Sequence, residues 1–405
     1  MLTMLRPIVF QTFREARAAV EAIGADAGRV ELMARKAVHR CVYVPEIRTR
    51  AAVILKQEML AKGGEAVLPW SALCLATETT PVLLCGTLRQ FENVCMTLRD
   101  QPFGLPELAE ELAETLRRAA GEGALTHLRL GDERLPLGQR TYLMGIVNMT
   151  PDSFSGDGLS EAAERALAQA ERMLEEGADL LDVGGESTRP GAEPVDEDEE
   201  LRRVTPAISA ILSRLPARVS VDTRHARVAR EALAAGAVLV NDVTALTGDP
   251  DMLTACRDAH AAVCLMHMRQ DPRTMQVHPE YDDVVSEVAE YLRGRVESCA
   301  TAGIDREAIL VDPGIGFGKT VEHNLDLLDR LHELRVATGM PVLAGPSRKS
   351  FIGEVLDLPV EDRLEGTAAT VAGAIARGAD MVRVHDVREM SRVCRMTDAI
   401  VRRTA

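Results

Sequence analysis

Between Tyr142 and Asp386 the chain repeats one pattern eight times: a short apolar run stops in a polar cluster, and a helical stretch follows. The clusters are Asn148-Met-Thr-Pro-Asp152, Asp182 to Gly191, Asp222-Thr-Arg, Asn241-Asp242, Met266-His267-Met268, Asp312 to Lys319, Gly345 to Ser350 and Arg383-Val-His385-Asp386. The apolar runs are Tyr142–Val147, Leu180–Val183, Arg218–Val221, Val238–Val240, Ala262–Met266, Ile309–Val311, Val342–Ala344 and Met381–Val384. Nearly continuous apolar strands separated by helices imply a parallel sheet covered by helices. Several helical stretches end in Gly-Ala (Gly177-Ala178, Gly236-Ala237, Gly378-Ala379), where glycine suits a left-handed C-cap. Eight such units fit a (β/α)8 TIM barrel, whose strand C-termini converge on one pocket. An open doubly wound sheet is the alternative, but its G-x-G-x-x-G fingerprint after the first strand is absent.

Residues 1–138 read as a separate, small N-terminal α/β domain of unassigned function, and residues 139–405 as the barrel. The polar stretch Gly131 to Arg140 has linker character. Phe13 to Ile23 and Ala51 to Leu60 read as helices, and Pro81 to Cys85 as a short buried strand. Pro106 to Ala120 is an amphipathic helix with Pro in its first turn, acids early and Arg late.

Apolar residues make up 46% of the 405, enough for a large core, and with aromatics at 3% that core is aliphatic. The formal charge of −15 argues against nucleic-acid binding, which needs a basic face. A local Arg/Lys/His cluster can still hold an anionic small molecule. Of the eight cysteines none forms C-x-x-C, and several lie in apolar runs (Val263-Cys264-Leu265, Leu84-Cys85-Gly86), where a reduced core thiol is expected. With neither a secretory leader pattern nor a run of about 20 apolar residues, the expectation is a cytoplasmic protein without a membrane partner.

The clusters differ in chemistry. Asp222, Asn241 and Asp312 end strands 3, 4 and 6 of the barrel. Carboxylates accept from an N–H/NH2 pair and an amide both donates and accepts, so the three suit a flat heterocycle carrying N–H, NH2 and C=O groups. Each could instead cap the next helix. Lys349 follows strand 7, and Arg383 and His385 close strand 8 on one side, as an anion clamp would. An ion pair of either with Asp386 is the plainer reading. Asn148 ends strand 1, and an amide oxygen together with a diphosphate suits Mg2+. The loop Asp182 to Gly191 could close over the site as a lid. Gly314 to Thr320 resembles a nucleotide phosphate loop, but the position its first Gly needs is Pro313, so that match fails.

In this order NMTPDSFS, DVGGESTRPG, SVDT, ND, LMHM, DPGIGFGK, SRKS and RVHD resemble the dihydropteroate synthases of folate biosynthesis, over about residues 140–402. The resemblance implies a transferase that joins 6-hydroxymethyl-7,8-dihydropterin diphosphate to 4-aminobenzoate and releases diphosphate. It implies that Asp222, Asn241, Asp312 and Lys349, with Met266 and Phe317, hold the pterin. Asn148, Arg383 and His385 would hold the diphosphate, with Mg2+ at Asn148. Thr188, Arg189, Pro190, Phe154 and Ser350 would shape the aminobenzoate pocket. Asp222, Lys349 and Asp157 would be the catalytic side chains. Asp157 is displaced by one residue from the family's usual TPDSFSDGG, which weakens its carry-over. A homodimer and a sulfonamide target are implied as well. A pterin-binding methyltransferase would not need the diphosphate clamp or the Ser347 to Ser350 loop, and a non-catalytic pterin binder would not need every polar position filled.

Overall fold

The computed structural model describes residues 5–149, 159–186, 195–269, 275 and 279–402. The chain divides into two compact units, Met1–Ala124 and Leu125–Ala405.

The first unit is an α/β domain built on strands β1 (His39–Arg48), β2 (Glu65–Val67) and β3 (Thr79–Thr87), antiparallel in the order β1-β3-β2. One face of the sheet is buried: Ala66, Val82 and Leu84 join Leu55, Met59, Phe91, Leu98, Leu105 and Leu112 from the helices in one core. The opposite face carries Tyr43, Val67 and Leu83 to the surface. The expected helices fold at Phe13–Ala22, Thr49–Ala61 and Leu105–Ala119. In the last, Leu105, Ala109, Leu112 and Leu116 make the buried stripe that the three-to-four spacing requires. Thr87 ends β3 and opens the next helix with a capping box, its side chain accepting from Gln90 N while Gln90 Oε1 takes its backbone N–H. Strand β1 was not read from the sequence; its apolar stretch Cys41–Val44 is short, flanked by His39-Arg40 and broken by Pro45-Glu46.

The second unit begins with a hairpin, β4 (His127–Leu130) and β5 (Glu133–Pro136). The eight barrel strands follow: β6 (Tyr142–Asn148), β7 (Leu180–Gly184), β8 (Val219–Asp222), β9 (Leu239–Asp242), β10 (Ala262–Met266), β11 (Ile309–Asp312), β12 (Leu343–Ala344) and β13 (Met381–Val384). They are parallel in the order β11-β10-β9-β8-β7-β6-β13-β12. A parallel bridge from Val311 to Val342, with Val311 N–H donating to Pro341 O at 3.0 Å, closes the ring. Each run expected from the sequence became a strand, and Gly177, Gly236 and Gly378 have φ of 106°, 107° and 98°, as left-handed helix ends need.

The boundary expected at 138/139 moves to 124/125. The hairpin is not a linker: Leu128, Leu130 and Leu135 pack with Tyr142, Met144, Leu180, Leu239, Cys264, Leu310, Leu343 and Met381 in one buried cluster. These barrel residues lie in the N-terminal halves of their strands or inside them, so the hairpin plugs the bottom of the barrel. The Tyr142 hydroxyl fastens it by donating to Pro136 O at 2.8 Å. Among the described residues no helix is long and apolar enough to cross a membrane.

Candidate active site

Parallel register sets the strand ends side by side. Asp222 of β8 lies opposite Asn241 of β9, and Gly184 of β7 opposite Asp222. Asp312 ends β11 opposite Met266 of β10, so one strand separates it from Asn241. The open centre of the pocket still joins them, because Gly345 on the far side lies near both Asp312 and Arg383. The helix-capping alternative applies elsewhere. Asp242 accepts from Thr244 N and Leu246 N, and Thr223 Oγ1 from His225 N, which leaves Asp222 and Asn241 for the pocket. Asp312 serves both purposes: its Oδ1 accepts from Gly314 N at 2.7 Å while the side chain ends the strand.

Arg383 organises one side of the site. Its Nε donates to Asp182 Oδ2 at 2.6 Å and its Nη2 to Asp222 Oδ2 at 2.7 Å. Asp182 Oδ2 also accepts from Asn241 Nδ2 at 3.0 Å. Asp182, fully buried in the middle of β7, thus ties the strand-8 cation to the strand-4 amide. It was not singled out from the sequence, although it lies within the expected run Leu180–Val183 as well as at the start of the cluster Asp182 to Gly191. The signal was available: a carboxylate inside an otherwise apolar strand is costly to bury without a partner. Its Oδ1 has no hydrogen-bond partner among the described residues.

One guanidinium shared by two carboxylates leaves the group net anionic. Burial, followed by the charges of Asp182, Glu200 and Asp242, pushes the Asp222 carboxyl up to about 7 against the opposing pull of Arg383. Burial works against the Arg383 cation, but Asp182 and Asp222 outweigh it and hold the guanidinium firmly protonated. Burial also raises Asp312, with Lys349 the main opposing charge.

Lys349 stands just before the helix Ser350–Leu356. Its ammonium donates to Ile315 O and lies 4.5 Å from the centre of the Phe317 ring. Burial brings its pKa down to about 8 despite Asp312 nearby. Met266 is buried at the end of β10, and Phe317 is half-buried beside Lys349, so both line this side. Gly314 has φ 69°, and a Cβ there would stand 1.9 Å from His267 O, so only glycine permits this approach of the two loops. The lysine that ends this loop, Lys319, is buried, donating to Phe317 O at 3.0 Å and His267 O at 3.3 Å, with His267 Nδ1 at 3.1 Å. Burial lowers it to about 7 and, with Lys319 beside it, lowers His267 to about 3. This pair was not anticipated. It braces the loop under Asp312 and is not arranged as a phosphate loop.

On the other side, His385 Nδ1 lies 3.0 Å from Ser347 Oγ, and His385 N–H donates to the same oxygen at 3.2 Å. The loops after β12 and β13 are thereby joined. Asp386, the expected alternative partner of Arg383 and His385, binds Arg348 through Nε at 2.8 Å and through a second contact to Nη2. Ser350 is exposed at the start of its helix, and Asn148 is exposed at the tip of β6 opposite Gly184. The expected aminobenzoate residues Phe154, Thr188, Arg189 and Pro190, and the expected catalytic Asp157, lie outside the described residues. The structure therefore brings Asp222, Asn241, Asp312, Lys349 and Arg383 to one end of the barrel. It departs from the division into a pterin side and a diphosphate side in one respect: Arg383 belongs to the carboxylate group as much as to the clamp with His385.

Comparisons with known proteins identify the family. The family model for "Pterin binding enzyme" matches residues 144–385. The dihydropteroate synthase of Synechocystis sp. is 46% identical over 276 residues, covering 68% of this chain and 95% of the relative. A probable bifunctional folylpolyglutamate synthase/dihydropteroate synthase of Haloferax volcanii is 42% identical over 391 residues, covering 95% of this chain but 46% of the relative. The crystal structure of Xanthomonas albilineans dihydropteroate synthase with 4-aminobenzoic acid aligns at a TM-score of 0.63 and 45% identity, over 68% of this chain and 98% of that one. A family match over residues 144–385, with relatives and solved structures above 40% identity along the whole barrel, places this chain in the pterin-binding family, as a dihydropteroate synthase and hence a transferase of folate biosynthesis.

Proposed function

We propose that the chain condenses 6-hydroxymethyl-7,8-dihydropterin diphosphate with 4-aminobenzoate by a dissociative route at the end of the barrel lined by Asp222, Asn241 and Asp312. The observation that carries this is the buried group of Asp182, Asp222 and Arg383 at the C-terminal end of the strands, with Asp312 and Lys349 buried beside it. The pterin binds flat against Phe317 and Met266, its N–H and NH2 groups donating to Asp222 and Asp312 and its ring acceptors meeting Asn241 and Lys349. The diphosphate lies toward Arg383, His385 and Asn148.

The C–O bond to diphosphate breaks first. The positive charge left on the methylene spreads into the pterin ring, where the carboxylates stabilise it, while Arg383 and His385 hold the departing anion. The aminobenzoate nitrogen then attacks the methylene carbon. The C–N bond forms and the amine gives its proton to the released diphosphate or to water, with no covalent enzyme intermediate. Phe154, Thr188, Arg189, Pro190 and Ser350 are assigned to the aminobenzoate and to a sulfonamide competing with it, and Asp157 to ordering the first loop.

Mg2+ fits the donor set as a partner of substrate rather than a resident of a cage. Asn148 offers one amide oxygen, and no group of three His, Cys, Asp or Glu among the described residues could hold a metal ion. When bound, the ion neutralises charge on the diphosphate. A homodimer is proposed on the family likeness and is checked by sedimentation.

The test is release of diphosphate from purified protein with Mg2+ and both substrates. Dihydropteroate and diphosphate are expected in equal amounts. A folded sample that binds pterin yet releases no diphosphate refutes the mechanism. The methyltransferase alternative is excluded by the same assay, since it forms no diphosphate.

A further inference from the structure

Five of the eight cysteines are buried, Cys95, Cys256, Cys264, Cys299 and Cys394, with Cys264 inside its apolar run as expected. Cys85 departs from that expectation. It alternates with Leu84, which faces the helices, and so emerges half-buried on the open face of the N-terminal sheet. There it meets Cys41, which is exposed.

The register makes the meeting specific. Cys41 of β1 and Cys85 of β3 are directly opposite in an antiparallel pair. Leu88 N–H donates to Val38 O at 3.0 Å, which marks Val38 and Leu88 as a hydrogen-bonded pair. Opposed pairs alternate, so Arg40/Gly86 is the next hydrogen-bonded pair and Cys41/Cys85 is a non-hydrogen-bonded one. At such positions the Cα atoms lie about 4.5 Å apart, within the range of about 4.4–6.8 Å that a disulfide spans. The two Sγ atoms are 3.6 Å apart.

We propose that Cys41 and Cys85 form a redox-active dithiol site that closes to an intramolecular disulfide with a low-molecular-weight disulfide as oxidant and reopens with the corresponding thiol. Cys41 is the attacking sulfur because it is exposed. Burial pushes the Cys85 thiol up, and its contact with Cys41 and the charge of Glu65 on β2 add to the shift, so Cys85 acts second. In the first step the Cys41 thiolate attacks one sulfur of RSSR, forms a mixed disulfide and expels RS−, which takes up the proton Cys41 lost. In the second, the Cys85 thiolate attacks the Cys41 sulfur, and another RS− leaves and is protonated. Two S–H bonds of the protein become one S–S bond, and RSSR gains two electrons to give two RSH. The product fastens edge strand β1 to central strand β3.

The experiment equilibrates the reduced full chain in buffers of increasing oxidised-to-reduced glutathione ratio, alkylates the remaining thiols, and maps peptides by mass. The expected result is a loss of two alkylatable thiols per chain and a peptide pair linked through Cys41 and Cys85. Cys41→Ser and Cys85→Ser each abolish the link, while Cys74→Ser, at another exposed cysteine, keeps it. A glutathione adduct that stays on Cys41 without closing, a link only between two chains, or no reaction at either cysteine in the wild-type chain overturns the proposal. The wild-type map decides the matter even if a serine variant folds poorly.

Discussion

The same eight strands build two opposite environments. At their N-terminal ends the barrel is sealed with Leu128, Leu130 and Leu135 from the hairpin against Met144, Leu180, Leu310 and Met381. At their C-terminal ends it buries Asp182, Asp222, Asn241 and Asp312 around Arg383. Strand β11 passes from Ile309 to Asp312 in four residues and makes the change within itself. The bottom gathers apolar area and stabilises the fold, whereas the top holds charge out of water and is stable only because its members hold one another. Changes at the top should therefore fall on chemistry and pH response as well as on stability, and changes at the bottom on stability alone.

The largest effect is expected from Arg383→Ala. It leaves Asp182 and Asp222 buried together without their cation, a loss of roughly 3–5 kcal/mol for a broken buried pair. Turnover should fall by about a hundredfold or more. Calorimetric titration should show weaker binding of diphosphate, and of pterin too, because the guanidinium also holds the pterin carboxylates. Loss confined to diphosphate would separate the clamp from the carboxylate group and break the reading of Arg383 as shared.

At the other end, Leu130→Ala removes a fully buried side chain from the plug and should cost about 2–5 kcal/mol in denaturant unfolding, with turnover per folded molecule unchanged. Starting the chain at Gln139 removes the whole hairpin and should destabilise the barrel further than starting at Leu125. Equal stability of the two truncated forms would show that the plug contributes nothing.

The pH response sharpens the contrast. Asp222 titrates near 7 in the folded chain against an ordinary 3.8, so the folded state holds its proton more tightly than the unfolded state does. Its contribution without ligand is fully present below about 4 and is lost as pH rises through 7. Lys349, lowered to about 8 from 10.5, acts in a higher window: the unfolded state binds more protons there, so stability recovers as pH rises from 8 toward 10.5. Asp222→Asn should flatten the fall between pH 4 and 7, an effect of roughly a few kcal/mol at most. A fall unchanged in the variant would assign it to another group.

Most of the barrel was readable because its strands are short, largely apolar runs that stop at polar clusters. The hairpin was not, since in four-residue strands His127, Arg129, Glu133 and Arg134 outnumber the leucines between them and look like a polar linker. Strand β1 was missed for a related reason: its apolar stretch is only Cys41–Val44, and its pairing shifts at Pro45-Glu46, between Val44 and Ile47. At the site, Asp222, Asn241, Asp312, Lys349 and Arg383 could be found as strand-end residues. Asp182 could not be found by that rule, because it lies inside β7 and its partners come from β9 and β13, far away in sequence. The misplacement of Cys85 has the same origin, since strand alternation decides which face a residue takes and an apolar run conceals it.

The claim that the charged end performs the transfer is tested most directly by measuring diphosphate release for wild type and Asp222→Asn with both substrates and Mg2+. The account predicts release coupled to dihydropteroate in the wild type and a fall of about a hundredfold or more in a variant that still folds. Equal rates in the two proteins, or a wild type that binds pterin and releases nothing, would contradict it.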